Sequence, residues 1–143
     1  METDTIKLLR ECNAGIKMGE SAINKLLSHA KNDNLRNTLK IGKSTHAILG
    51  NETHSLLLKH RANTASPHPI ADAMSNMKIS ATMMTKESDS SIADLVTDGC
   101  NMGIKSVSKY LNKYKNADEK SKSIAKRLIA SEEFLENKMR DYL

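Results

Sequence analysis

The chain has 143 residues, one domain's worth of sequence and enough to bury a core without a disulfide or metal staple. Aromatic residues are scarce, with no Trp, one Phe and three Tyr, while Leu, Ile, Ala, Met, Lys and Ser dominate; this composition argues against a β-rich fold and for helices. The formal charge of +5 is spread thinly over both halves with acids interleaved, which fits a solvated surface and argues against nucleic acid, since base stacking needs aromatics and an electrostatic footprint needs basic clusters.

The opening METDTIKLLREC begins acidic and lacks a charged start followed by an apolar run, so neither a secretory signal nor a membrane span is expected and the compartment is read as cytoplasmic. Cys12 and Cys100 form no C-x-x-C motif or disulfide framework; they are read as reduced, partly buried thiols.

In chain order, the spacing predicts a first helix over 4–30, with Ile6, Leu9, Cys12, Ile16, Gly19, Ile23, Leu26 and Ala30 on one stripe. A polar turn follows, with Asp33 or Asn34 as cap. A second helix over 34–61 then carries Leu35, Leu39, Gly42, His46, Leu49, Thr53, Leu56 and His60. The short turn makes the pair an antiparallel hairpin.

ANTASPHP, with the only two prolines, ends that helix and opens a crossover over 62–91. Within it Ile70, Met74, Met77, Ala81 and Met84 keep helical spacing and are read as a buried stripe, its methionines filling an irregular groove rather than binding a metal or partner. Whether this segment runs on into the next helix stays open. That next helix is predicted over 92–114 (Ile92, Leu95, Val96, Gly99, Met102, Gly103, Val107, Tyr110, Leu111). The last is predicted over 118–142, capped by Asp118, with Ala125, Leu128, Glu132, Leu135, Met139 and Tyr142 aligned.

The two hairpins share a weak repeat. Met18, Gly19, Lys25 and Leu27 recur as Met102, Gly103, Lys109 and Leu111, while a shifted comparison pairs CNAGIK from Cys12 with CNMGIK from Cys100. A helical glycine costs about 1 kcal/mol relative to Ala, so its recurrence on both stripes calls for a packing reason, and close approach of the first and third long helices would supply one.

Two similar hairpins joined by a long segment resemble the ferritin-like four-helix bundle, in which a crossover spans the bundle's length. The stretches NAGIKMG, IADLVTDGCNMGI and AKRLIASEE resemble small bacterial members of that superfamily without an intact di-iron motif. The resemblance implies an all-α, antiparallel four-helix bundle of two hairpins in a single domain over 1–143, with the Met-rich crossover itself helical. It also implies that the first and third long helices run antiparallel, which would hold Cys12 and Cys100 too far apart to bridge.

Di-iron members of that class use inward Glu residues and Glu-x-x-His pairs, and no Glu here is followed three residues on by His. What remains is Glu20, His46 and Glu132 near the middles of three helices, with Glu52 as a fourth donor. Two carboxylates and an imidazole are enough to hold a divalent transition metal, but a hydrogen-bonded buried pair is the favoured reading and no cofactor is expected. His29, His54, His60 and His68 are read as solvated.

No phosphate-binding Gly-rich loop or nucleophile motif occurs, so no catalytic residue is assigned. The expected function is non-enzymatic, exerted through the surface as a homo-oligomer or on a protein partner. One alternative is a metal-binding or redox ferritin-like protein using Glu20, His46, Glu52 and Glu132. Another is a weak nucleic-acid or anionic-surface binder built on Lys105, Lys109, Lys113, Lys115, Lys120, Lys122, Lys126 and Arg127.

Overall fold

The computed structural model describes residues 3–143, without the side chains of Ile70, Ala71 and Ala73. Ile70, assigned to the methionine stripe by its spacing, therefore has its side chain outside the described residues. Five α-helices form: α1 (Asp4–Leu27), α2 (Asp33–Lys59), α3 (Pro69–Thr85), α4 (Asp89–Lys113) and α5 (Glu119–Met139), followed by a 3₁₀ turn (Arg140–Tyr142). No strand occurs among the described residues.

The starts follow side-chain chemistry. Thr3, Asn32, Ser88 and Asp118 each cap a helix by accepting from the backbone N–H three residues on, while α3 begins on Pro69, whose missing N–H costs nothing at a helix start. Asn32, rather than Asp33 or Asn34, caps α2, because its side chain reaches Leu35 N at 3.0 Å. The first helix stops at Leu27 rather than residue 30, where His29 N and Ala30 N turn back to the carbonyls of Leu26 and Leu27.

The crossover does not continue into the next helix. It breaks at Lys86–Ser88, and α4 starts at Asp89, earlier than its stripe suggested, under the Ser88 cap. Asp89 also accepts from Lys31 N (2.8 Å) and Asn32 N (3.1 Å), tying the head of α4 to the α1–α2 turn.

α1 packs along α2 and α4 along α5; α2 also packs on α5, α1 on α4, and α1 touches α5 across the middle. Which residues share a core sets the directions. One cluster joins Ile23, Leu26, Leu35, Leu39, Ile92, Val96, Leu135 and Met139, and the other joins Leu8, Leu9, Ile16, Leu49, Leu57, Val107, Ile124 and Leu128. Thus α1 and α5 run one way and α2 and α4 the other. Ile79 and Met83, near the end of α3, join the first cluster, while the chain just before α3 lies at the other end, where Thr64 O accepts from Asn13 Nδ2 (3.3 Å). The crossover helix, 17 residues or about 25 Å long, therefore runs along the outside of the bundle beside α1.

Three stripe assignments change. On α3 the buried side chains are Ile79 and Met83, whereas Met74, Met77 and Met84 are 65%, 71% and 87% exposed: the methionine stripe faces out, not into a groove. On α4 the buried line is Ile92, Ala93, Val96, Cys100 and Val107; Gly99 and Met102 point away from the core. Near the end of α2 the core takes Leu57, with Leu56 at its edge and His60 exposed.

Candidate functional site

Between the two apolar clusters lies a polar layer. His46 on α2 is fully buried and its Nδ1–H donates to the Gly42 carbonyl at 2.8 Å, since a carbonyl can only accept. That fixes the remaining nitrogen: Nε2 faces Glu132 Oε1 of α5 at 3.3 Å. The contact joins α2 to α5 through two buried side chains.

Burial is the largest single influence on His46 and lowers its pKa. The hydrogen bond and charge of Glu132, the Gly42 carbonyl and the charge of Glu20 together outweigh it, so the net shift is upward.

Two glycines make room for this pair. A Cβ on Gly19 of α1 would stand 2.7 Å from His46 Nε2, and one on Gly103 of α4 would stand 3.2 Å from Glu132 Cδ. Of the two repeat registers, the one pairing Gly19 with Gly103 thus matches a structural equivalence, each glycine abutting one member of the pair. The room they make is taken by side chains from α2 and α5, rather than by α1 and α4 closing on each other.

The four metal-ligand candidates are not brought together as a set. Glu20, on α1, faces α2 one turn beyond His46, at Gly50, where a Cβ would stand 3.1 Å from its Oε1. Glu52 lies on the outside, gripped by both terminal nitrogens of Arg127 at 2.7 and 2.9 Å; that hydrogen bond holds the Glu52 carboxyl below its usual range. Among the described residues no three His, Cys, Asp or Glu side chains are grouped as metal ligands would be. A dinuclear centre does not fit these residues: the one buried imidazole already spends Nδ1 on a backbone carbonyl and Nε2 on Glu132, and Glu52 is committed to Arg127.

Cys100, beside Glu132, was not part of the expected cluster and lay off the predicted stripe; its place in the CNMGIK repeat was the only sequence signal for it. Burial, reinforced by the charge of Glu132, pushes its thiol pKa strongly up, and burial pushes Cys12 up to about 12. Neither thiol is an activated nucleophile. They belong to different core clusters and are both free.

The remaining histidines sit at the surface or its edge. His29 meets Glu87 at 3.1 Å, His68 meets Glu11 at 3.0 Å, and His54 and His60 are exposed. Of the basic candidates, Lys105, Lys109, Lys113, Lys115, Lys120 and Lys126 are exposed and Lys122 is half-buried; Arg127 is engaged by Glu52, and Lys113 lies over the Tyr114 ring.

Outside the polar layer the molecule presents apolar surface in two places. One is the α3 stripe of Met74, Met77, Ala81 and Met84, flanked on α4 by exposed Met102. The other is an open groove of roughly 450 Å³ between α2 and α5, with Ile41, Ile48, Ala130 and Phe134 in its lining. No helix among the described residues is long and apolar enough to cross a membrane. No family model matches the chain, and no curated protein or solved structure matches it either.

Proposed function

We propose that this is a non-enzymatic helical-bundle protein that works through its surface, as a homo-oligomer or docked on a protein partner, with a ferritin-like layout that has no dinuclear centre. Support for the layout comes from two antiparallel hairpins joined by a largely helical segment that passes from one end of the bundle to the other. Support for surface action comes above all from the outward methionine stripe of α3. A helix that is apolar on both faces normally has both faces covered, and the chain itself covers only the side bearing Ile79 and Met83. The interior offers no comparable opportunity, because its buried imidazole bonds within the protein at both nitrogens.

Site-specific photo-crosslinking in cells tests the reading. A photoreactive residue replacing Met77 should give a discrete adduct, and one replacing Asn112, on exposed polar surface of α4, should give none. Absence of any adduct from Met77 and from a matching probe at Ile48, in the α2–α5 groove, would end the proposal. Metal analysis of untagged protein tests the metal-binding alternative: a stoichiometric transition metal lost on Glu132→Gln would favour that alternative instead.

A further inference from the structure

We infer that the outward face of α3 is covered by α3 of a second copy of this chain, the two helices packed antiparallel about a two-fold axis. The inference rests on the surface-acting reading above and names its partner.

Its basis is the order of residues along the exposed line. Met74, Met77, Ala81 and Met84 follow one another at steps of three, four and three. Those steps alternate as the core positions of a coiled coil do, and they read the same from either end. Turned end for end against a copy of itself, the line therefore sets Met74 against Met84 of the second copy and Met77 against its Ala81. A two-fold contact requires such self-complementarity, because each residue must face its partner's partner. The middle pairing is also complementary in size, since the long, pliable Met77 side chain meets the small Ala81 twice.

Charge does not oppose the pairing. The α3 sequence PIADAMSNMKISATMMT carries one Asp and one Lys. Asp72 turns inward, where Ser66 Oγ donates to it at 2.6 Å, and Lys78 leans toward Asp98 of α4 at 3.9 Å. The seam itself is uncharged, and Lys78 would face Ser80 of the second copy rather than another lysine. Exposed Met102, one turn beyond Asp98 on α4, extends the apolar surface beside it. A standard stable interface buries about 800 Å² on each side. A seam of four residues offers less, so the pair is weak and depends on concentration.

Sedimentation velocity on the full chain from about 1 to 500 µM, a range chosen to bracket weak association, reads this directly. A shift from monomer to dimer mass is expected, and Met77→Lys, an exposed substitution that leaves the fold intact, should abolish it. A monomer throughout that range overturns the inference. If the Met77 photo-adduct in cells then has the mass of a different protein, the surface-acting reading survives without it.

Geometry is read by mixing Met77→Cys protein with Ala81→Cys protein under mild oxidation. The native cysteines, both buried, leave the engineered thiols as the reactive ones. Antiparallel pairing predicts a disulfide between the two different variants in preference to Met77→Cys alone. Crosslinking of Met77→Cys to itself at least as readily would overturn the two-fold arrangement even if a dimer forms.

Discussion

His46 is held between a carbonyl that fixes one nitrogen and a carboxylate that faces the other, and its share of the stability depends on its charge. Its pKa is raised in the fold above the ordinary value of 6.5, so that share is fully present below about pH 6.5 and is lost as pH rises through the higher folded value. Comparison of wild type with His46→Leu/Glu132→Leu by urea unfolding at pH 6 and pH 9 should show the wild type losing ground at the higher pH. A constant difference would contradict this account. Glu132→Leu alone should cost about 2–4 kcal/mol, because it leaves the buried Nε2 of His46 without its hydrogen-bond partner.

The glycines give a paired test at the same scale. Gly19→Ala drives a Cβ into the His46 ring, whereas a Cβ on Gly99 meets nothing within 4 Å. In urea unfolding, Gly99→Ala should stabilise by about 0.5–1 kcal/mol and Gly19→Ala should destabilise by about 1 kcal/mol once its better helix propensity is offset. Spacing alone placed both glycines on the stripe. It could not separate them, since a stripe position shows that a residue is near the core but not how close the facing side chain comes. Glu52 has the same limit: it stands one position before stripe residue Thr53, and only the position of Arg127 across the groove decides that it turns outward.

At the scale of elements, starts were more legible than stops. The Asp118 cap was readable because a side chain beside a polar turn announces a cap. The end of α2 uses no glycine: Arg61 adopts φ 55°, and Ala62 N bonds Leu57 O at 2.9 Å while Arg61 N bonds Leu58 O at 3.0 Å. That is a Schellman ending built on a residue that bears a Cβ, which costs about 1–2 kcal/mol in the left-handed region. Arg61→Gly should therefore raise stability by about 0.5–1 kcal/mol, measured by thermal melting, after the extra freedom it gives the unfolded chain is subtracted. For α3, periodicity found the methionine line but not its direction. An apolar stripe says that a face seeks cover, not which body covers it, and Ile79 and Met83, offset from that line, were the residues the bundle took.

At the scale of the whole molecule, a polar layer between two apolar clusters raises the question of whether the halves melt separately. All four long helices run through it: α1 supplies Leu9 to one cluster and Leu26 to the other, α2 Leu57 and Leu39, α4 Val107 and Val96, and α5 Leu128 and Leu135. Opening one half would leave four helices ending at the layer with their backbone groups unpaired, and would expose His46 and Glu132 together. The two clusters should therefore unfold in one transition. Leu26→Ala and Leu128→Ala, in opposite clusters, should each cost about 3–5 kcal/mol. Each should lower the same midpoint, whether followed by far-UV circular dichroism or by tyrosine emission, to which the stacked Tyr110 and Tyr114 at one end contribute. If Leu26→Ala moved the dichroism transition but left the tyrosine transition in place, the layer would be a boundary between two independent cores, and the His46–Glu132 pair would not be coupling them.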